Sequence, residues 1–318
     1  MSDEPEFIKL PKIDLSENPD IETAAKRIFS ESIQHLRDNF TRFQKNGDAG
    51  ALMQIRIGMR RIRVAIAVFR QVIPGDVRTR YNREFRYFGN MLGEARNMDV
   101  FMDVMLSDKM AKKSLKKAGK ELRRHAGSVR SDEYEVIRRE ISGGHLESVL
   151  KGFDKWLKSN WQSKLGKAAC NLLGKPVAPF AISVINEGSI ELLNQGAETE
   201  HLSASELHDV RKYAKRARYH LRFFSSLFAD EKVQEGFAIL VQMQDCLGHI
   251  NDVKEGQVLL GQLSEDVRAD YFADVLRYNA KVIRQAADNI DGYLTEFADL
   301  WQRYEAYTVD ETDLNVSP

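Results

Sequence analysis

Apolar residues recur at steps of three and four along most of the chain, the period of a half-buried helix. Ile21, Ala25, Ile28, Phe29, Ile33, Leu36, Phe40 and Phe43 trace the first such face, and Asn46-Gly47 ends it. Asp48 is placed to cap a second helix, through Ile55, Met59, Ile62, Ile66 and Phe69 to Pro74-Gly75. Asp76 is placed to cap a third, through Phe85 and Phe88 to Leu92-Gly93. The stretch Asp99 to Leu106 carries apolar residues on several sides. A Lys-rich helix over 109–127, a short helix over 132–142 and a break at Gly143-Gly144 follow. The next helix carries Leu146, Val149, Leu150, Phe153 and Leu157. Gly174-Lys-Pro-Val-Ala-Pro179 reads as a linker. Helices over 180–199, 207–228, 231–247 and 267–307 complete the pattern, and no alternating run marks a strand. The expectation is an all-α protein.

An internal repeat organises these helices. Arg56-Ile-Gly-Met-Arg60-Arg61-Ile-Arg63 aligns with Arg211-Lys-Tyr-Ala-Lys215-Arg216-Ala-Arg218 at an offset of 155 residues. Phe69 then falls on Phe224, Leu92-Gly93 on Leu247-Gly248, and Asp48 on Ser203, which opens the capping box Ser203-Ala-Ser-Glu206. The expected organisation is two homologous up-down helical bundles, 21–174 and 175–307, related by a pseudo-two-fold axis. Residues 1–20 and 308–318 read as acidic tails.

Charge changes the picture through its placement. The 47 Lys/Arg cancel the 47 Asp/Glu, so the total predicts no polyanion partner. Residues 51–130 nevertheless hold 19 Lys/Arg against 7 Asp/Glu, and 205–225 hold 6 against 2. Acids collect at the ends, 6 against 2 in residues 1–20 and 8 against 1 in 286–318. Within the basic segments, Arg56, Arg60 and Arg63 stand at i, i+4 and i+7 on one helix face. Arg211, Lys215, Arg218 and Arg222 form the equivalent row, each row flanking the apolar seam of its helix. Like charges at i,i+4 oppose the helix by about 0.2–0.5 kcal/mol per pair. Either acids from another helix or an external anion must answer such rows, and two of them at matching positions favour the anion. Arg61 and Arg216 lie about 100° round the helix from these rows. The segment Lys109–Arg124, with Lys116 and Lys120, is an amphipathic basic helix of eight cations and one acid. It lacks the aromatic, Leu-rich face that membrane adsorption needs.

These motifs resemble the CHAD family, named for a histidine-containing α-helical domain. The family pattern reads H-x-x-R-V-x-x-R-R-L-R and L-G-x-x-R-D-x-D-V in one half, then H-x-x-R-K-x-x-K-R-x-R-Y and L-Q-x-x-L-G-x-x-N-D in the other. Here the second half has His208, Arg211-Lys212, Lys215-Arg216, Arg218-Tyr219, then Gln244, Leu247-Gly248 and Asn251-Asp252. The first half has Arg56-Ile57, Arg60-Arg61-Ile62-Arg63, Leu92-Gly93, Arg96 and Asp99-Val100. It departs at Met53, where the family's first histidine belongs, and at Asn97. The resemblance spans residues 21–305. It implies two bundles around a basic groove or pore that binds inorganic polyphosphate, with no catalysis. It adds His208 and Lys212 to the binding candidates, beside Arg56, Arg60, Arg63, Arg211, Lys215, Arg218, Arg222, Lys116 and Lys120. Asn97, Asp99, Asn251 and Asp252 read as partners that position arginines.

Other chemistries find little support. Two cysteines, Cys170 and Cys246, make neither a disulfide framework nor a Cys-rich zinc site. Asp245/His249 and Asp99/Asp103 at i,i+4 are the best candidate metal pairs, and neither shows a third ligand. No phosphate loop or G-x-S-x-G elbow occurs. No catalytic residue, metal or cofactor is expected. The alternatives kept are a metalloenzyme acting on polyphosphate or phosphate esters, and a helical nucleic-acid binder, the latter without a recognisable DNA- or RNA-binding motif. No apolar run reaches the roughly 20 residues of a membrane helix. The acidic N-terminus lacks an apolar signal core. The expected location is the cytoplasm, with polyphosphate granules as the candidate address within it.

Overall fold

The computed structural model describes residues 7–105, 116–196, 204–228, 230–263 and 277. Among them the fold is all-α. The helices are α1 Ile21–Asn46, α2 Ala49–Val68, α3 Gly75–Val100, α4 Lys116–Ser142, α5 His145–Leu157, α6 Lys167–Leu173, α7 Val177–Gly196, α8 Ala204–Phe224 and α9 Asp230–Leu263. Successive helices pack as antiparallel neighbours, α1 on α2 on α3 and α7 on α8 on α9. The first three start at residues 21, 49 and 75, and α7, α8 and α9 start 156, 155 and 155 residues later.

Local signals set the first helix ends. The Asp20 carboxylate accepts the Thr23 N–H (2.7 Å) and starts α1. Gly47 ends it in the left-handed region, φ 65°, with its N–H donated to the Phe43 carbonyl. Asp48 accepts the Ala51 N–H (2.7 Å) and starts α2.

Several expected boundaries shift. Asp76 does not cap α3: Pro74 holds the cap position and Asp76 sits in the first turn. Proline's fixed φ and missing N–H suit a helix start. α3 also runs past Gly93 to Val100 and continues as a π-helical turn over Phe101–Met105. Gly93 keeps a helical backbone, without the left-handed φ that ends α1 at Gly47, so it does not stop the helix. The separate helices expected over 109–127 and 132–142 are one, α4, as far as they are described. Ser131 stays in register, its hydroxyl donating to the Gly127 carbonyl. α9 likewise passes Gly248 to Leu263. Ser203, the helix expected over 267–307 (apart from helical Arg277) and the tail 308–318 lie outside the described residues.

The segment expected as an acidic N-terminal tail is packed along part of its length. Ile13 and Leu15 are buried, and the Leu15 N–H donates to Ser226 Oγ (2.8 Å). Ile8 is held through both backbone groups by the Asn39 amide. Acidic letters dominate the segment, but two apolar anchors decide its place. Beside it, residues 19–21 pair with 175–177: the Ile21 N–H meets the Lys175 carbonyl, and the Val177 N–H meets that of Pro19, both 2.9 Å. The apolar interior is continuous from Phe29 on α1 through Phe69 on α2 to Phe180 on α7 and Phe224 on α8. Each fully buried Phe contributes about 1.5–3 kcal/mol by transfer from water. That interior brings α2 against α8, the two helices that carry the cationic rows.

Candidate anion-binding groove

α2 and α8 flank a cavity of about 440 Å³, lined by Arg60, Arg63, His208, Arg211, Lys212 and Lys215 among others. The i, i+4, i+7 spacing turns each row to the same side of its helix, and the shared core turns those sides toward each other. Among the described residues lining the cavity there is no carboxylate.

The electrostatics follow from this crowding. Burial, and then the charges of Arg60, Arg211 and Arg218, push the Lys215 ammonium down to about 7. Burial pushes Arg56 down to about 10, helped by Arg60 and Arg96. Arg63 is lowered by burial and by Arg86 and Arg60, and Arg218 by burial, with Arg60 adding to the fall. Residues from both rows thus act on one another, with Arg60 at the crossing point. Such a field attracts an anion and raises its local concentration.

The structure places the expected residues unevenly. Arg60, Arg63, His208, Arg211, Lys212 and Lys215 come together at the cavity. Arg63 Nε donates to the Asn82 amide oxygen on α3 (3.0 Å). Arg211 reaches Asp252 on α9 at 3.9 Å, and Lys212 pairs with Asp209 at 2.7 Å. Arg56 and Arg218 continue the rows beside the cavity, outside its lining. Arg222 is turned to the N-terminal segment, where its Nη2 donates to the Leu10 carbonyl (3.1 Å). Lys120 is exposed on α4 and does not line the groove. Lys116 starts α4, and its side chain lies outside the described residues. Asn82, Arg216 and Tyr219 also line the groove. Asn82 belongs to neither row, and only the folded chain brings it in.

Asp99 organises the far end. Its carboxylate is 4% exposed and accepts from Arg130 Nε (2.5 Å) and the Tyr134 hydroxyl (2.8 Å), with Arg96 at 3.7 Å. Burial, then the bond to Asp99, raises the Tyr134 phenol far above its usual range. Arg130 was not readable as a partner, since it lies 31 residues from Asp99. With its oxygens so engaged, Asp99 is poorly placed to share a metal with Asp103. Among the described residues no group of three His, Cys, Asp or Glu side chains could hold a metal ion. For Asp245/His249, the His249 side chain lies outside the described residues. Among the described residues no helix is long and apolar enough to cross a membrane.

The family model for the CHAD domain matches residues 27–261. Four solved chains match in fold. One is the crystal structure of the CHAD domain from the plant Ricinus communis, with a TM-score of 0.78 and 20% identity, over 93% of this chain and 96% of that one. At that identity the likeness shows the fold alone. No curated protein matches the chain.

Proposed function

The chain belongs to the CHAD domain family, and from that premise we propose that it binds inorganic polyphosphate in the groove between α2 and α8, as a binding module and not an enzyme. The observation that carries this reading is the meeting of two cationic rows around a cavity whose described lining has no carboxylate. Polyphosphate is a flexible chain with about one charge per unit and no base to read. Rows of Arg and Lys match it, because Arg forks give paired bonds to phosphate oxygens.

The same features favour polyphosphate over the alternatives. A single-strand nucleic-acid groove uses aromatic platforms for its bases, and Tyr219 is the one aromatic side chain among the described lining residues. A phosphate-processing metalloenzyme needs clustered carboxylates on a metal, and the acids that reach the described lining residues, Asp209, Asp252 and Glu191, each pair singly with a cation, Lys212, Arg211 and Arg216. In this proposal the two bundles share one site, and the protein works in the cytoplasm, on polyphosphate granules.

Calorimetric titration with long-chain polyphosphate tests the reading, beside equal phosphate as DNA and as orthophosphate, with hydrolysis followed in parallel. The expected result is tight binding of polyphosphate that weakens with salt, much weaker binding of DNA, and no phosphate release. Equal affinity for DNA, or release of orthophosphate, sinks it.

A further inference from the structure

A second cavity, of about 400 Å³, opens at the start of α3 and shares no lining residue with the groove. Pro74 there offers α3 no side-chain cap, so the first-turn N–H groups of a 26-residue helix carry its positive end into the space without one. Three cations line it: Arg80 from α3, Lys155 from α5 and Lys164 from the short 3₁₀ turn Trp161–Lys164. Among the described residues none of the three makes an ion pair or hydrogen bond, and Arg80 rests only over the Tyr81 ring (5.3 Å). Asp76, in the first turn of α3, is the one carboxylate among the described lining residues.

Tyr81 adds an independent observation. It is 3% exposed, lines the cavity, and its hydroxyl has no hydrogen-bond partner among the described residues. Phe153 fixes the ring edge-on at 4.7 Å. Gly152 faces the hydroxyl: a Cβ built there would lie 3.2 Å from Tyr81 Oη. A buried phenol usually finds a partner, and here it meets only the cavity. The hydroxyls of Ser159 and Ser163 already donate to the carbonyls of Trp156 and Asn160, so Tyr81 carries the one uncommitted hydroxyl among the described lining residues.

We propose that this cavity is a second anion site that takes one terminal phosphate group, carried by a small phosphate monoester or by the free end of a polyphosphate chain. Three cations against one carboxylate leave two positive charges, which match the roughly −1.5 to −2 of a terminal phosphate at pH 7. An interior polyphosphate unit carries about half that charge and has two substituents to place. The helix end, the phenol and the three side chains supply donors on several sides of one tetrahedral group.

The test uses calorimetry on the full chain bearing Arg60→Glu and Lys215→Glu, which disable the groove. The probes are glycerol phosphate, linear tripolyphosphate and cyclic trimetaphosphate, which has no terminal group. Glycerol phosphate, tripolyphosphate or both should bind one per chain, and trimetaphosphate should not. Binding of glycerol phosphate names a monoester as the source, and binding of tripolyphosphate alone names the chain end. Adding Lys155→Glu with Lys164→Glu should weaken binding at least tenfold, and Tyr81→Phe, which keeps the ring, by about two- to tenfold. Both lysines are exposed, so folding survives their change. Absence of one-to-one binding by either linear probe, equal binding of trimetaphosphate, or indifference to the lysine pair overturns the proposal. The groove reading stands or falls separately, on long-chain polyphosphate and the unaltered groove.

Discussion

Arg61 on α2 and Arg216 on α8 stand at matching positions beside the two cationic rows, 155 residues apart, and the fold treats them oppositely. Arg216 is exposed, pairs with Glu191 of α7 (2.5 Å) and lies over the Tyr213 ring. Arg61 has no exposed surface, and its three guanidinium nitrogens have no hydrogen-bond partner among the described residues. Its guanidinium lies over the Phe223 ring at 5.7 Å, and Tyr219 and Glu31 favour its charge. Burial, then Arg222, lowers its pKa to about 10, so it stays charged at neutral pH. Glu191's counterpart at the 155-residue offset is Leu36, and the α1 acid Glu31 acts on Arg61 through its charge alone, without the ion pair that α7 gives Arg216. An exposed pair contributes about 0–1 kcal/mol, whereas an uncompensated buried charge costs several. Matching letters in two halves therefore do not carry matching energies.

The largest expected effect sets the two rows against each other. Arg211→Glu, Lys215→Glu and Arg218→Glu together should cut polyphosphate affinity by more than about a hundredfold, with helical circular dichroism retained. The matching change at Arg56, Arg60 and Arg63 should cost about as much, because two of each trio line the groove, Arg60 and Arg63 from α2 and Arg211 and Lys215 from α8, and a difference above about tenfold would break that symmetry.

The next effect is on stability. Arg61→Met should raise the free energy of unfolding by about 1–4 kcal/mol, as replacement of buried charges by apolar side chains often does. Arg216→Met should change it by less than about 1 kcal/mol. Urea unfolding of both variants measures this. A destabilised Arg61→Met would mean that the buried guanidinium is satisfied after all.

A third outcome concerns pH. Lys215 titrates near 7 in the free protein, and a bound phosphate chain favours its charged form. Binding should take up a proton above about pH 7, and affinity should fall by up to tenfold per pH unit there, in proportion to one proton. Lys215→Arg should flatten the profile. Stability runs the other way. The unfolded lysine binds a proton between about 7 and its ordinary value of 10.5 that the folded one does not, so this residue's contribution to stability rises with pH across that window. Calorimetry in buffers of different ionisation enthalpy, with urea unfolding across pH, checks both signs.

The smallest effect concerns the paired glycines. A Cβ at Gly93 would meet Arg56 Nη2 at 3.5 Å, and one at Gly248 would meet Arg211 Nη2 at 4.0 Å. Both are ordinary contact distances inside helices. Alanine at either place should add about 0.5–1 kcal/mol of stability and leave affinity within about twofold.

Sequence legibility tracks how local each cause is. Asp48 and Gly47 could be read because a cap involves neighbours three or four residues away. Gly93 misled because a glycine marks a helix end through a left-handed φ, as at Gly47, and Gly93 keeps the helical one. The cationic rows could be read from helical spacing, since the period alone puts Arg211, Lys215 and Arg218 on one face. Their meeting with Arg60 could not, because the aromatic core between α2 and α8 sets it. Arg222 fits the row by spacing, yet a backbone carbonyl from residue 10 occupies it. Asn82 and Arg130 gave no signal, since each acts through one side-chain contact across 19 or 31 residues.

The bond from the Leu15 N–H to Ser226 Oγ spans 211 residues of chain. At ribosomal rates of about 5–20 residues per second, Leu15 waits roughly 10–40 s for Ser226 to be synthesised. α1, α2 and α3 can pack in that interval, because their contacts are local. Ile13 and Leu15 meanwhile have only part of their burial site, and the carbonyl of Leu10 has no Arg222 to meet. The bond from Leu15 therefore closes after α1, α2 and α3 can pack, and a nascent chain that ends before Ser226 carries it open.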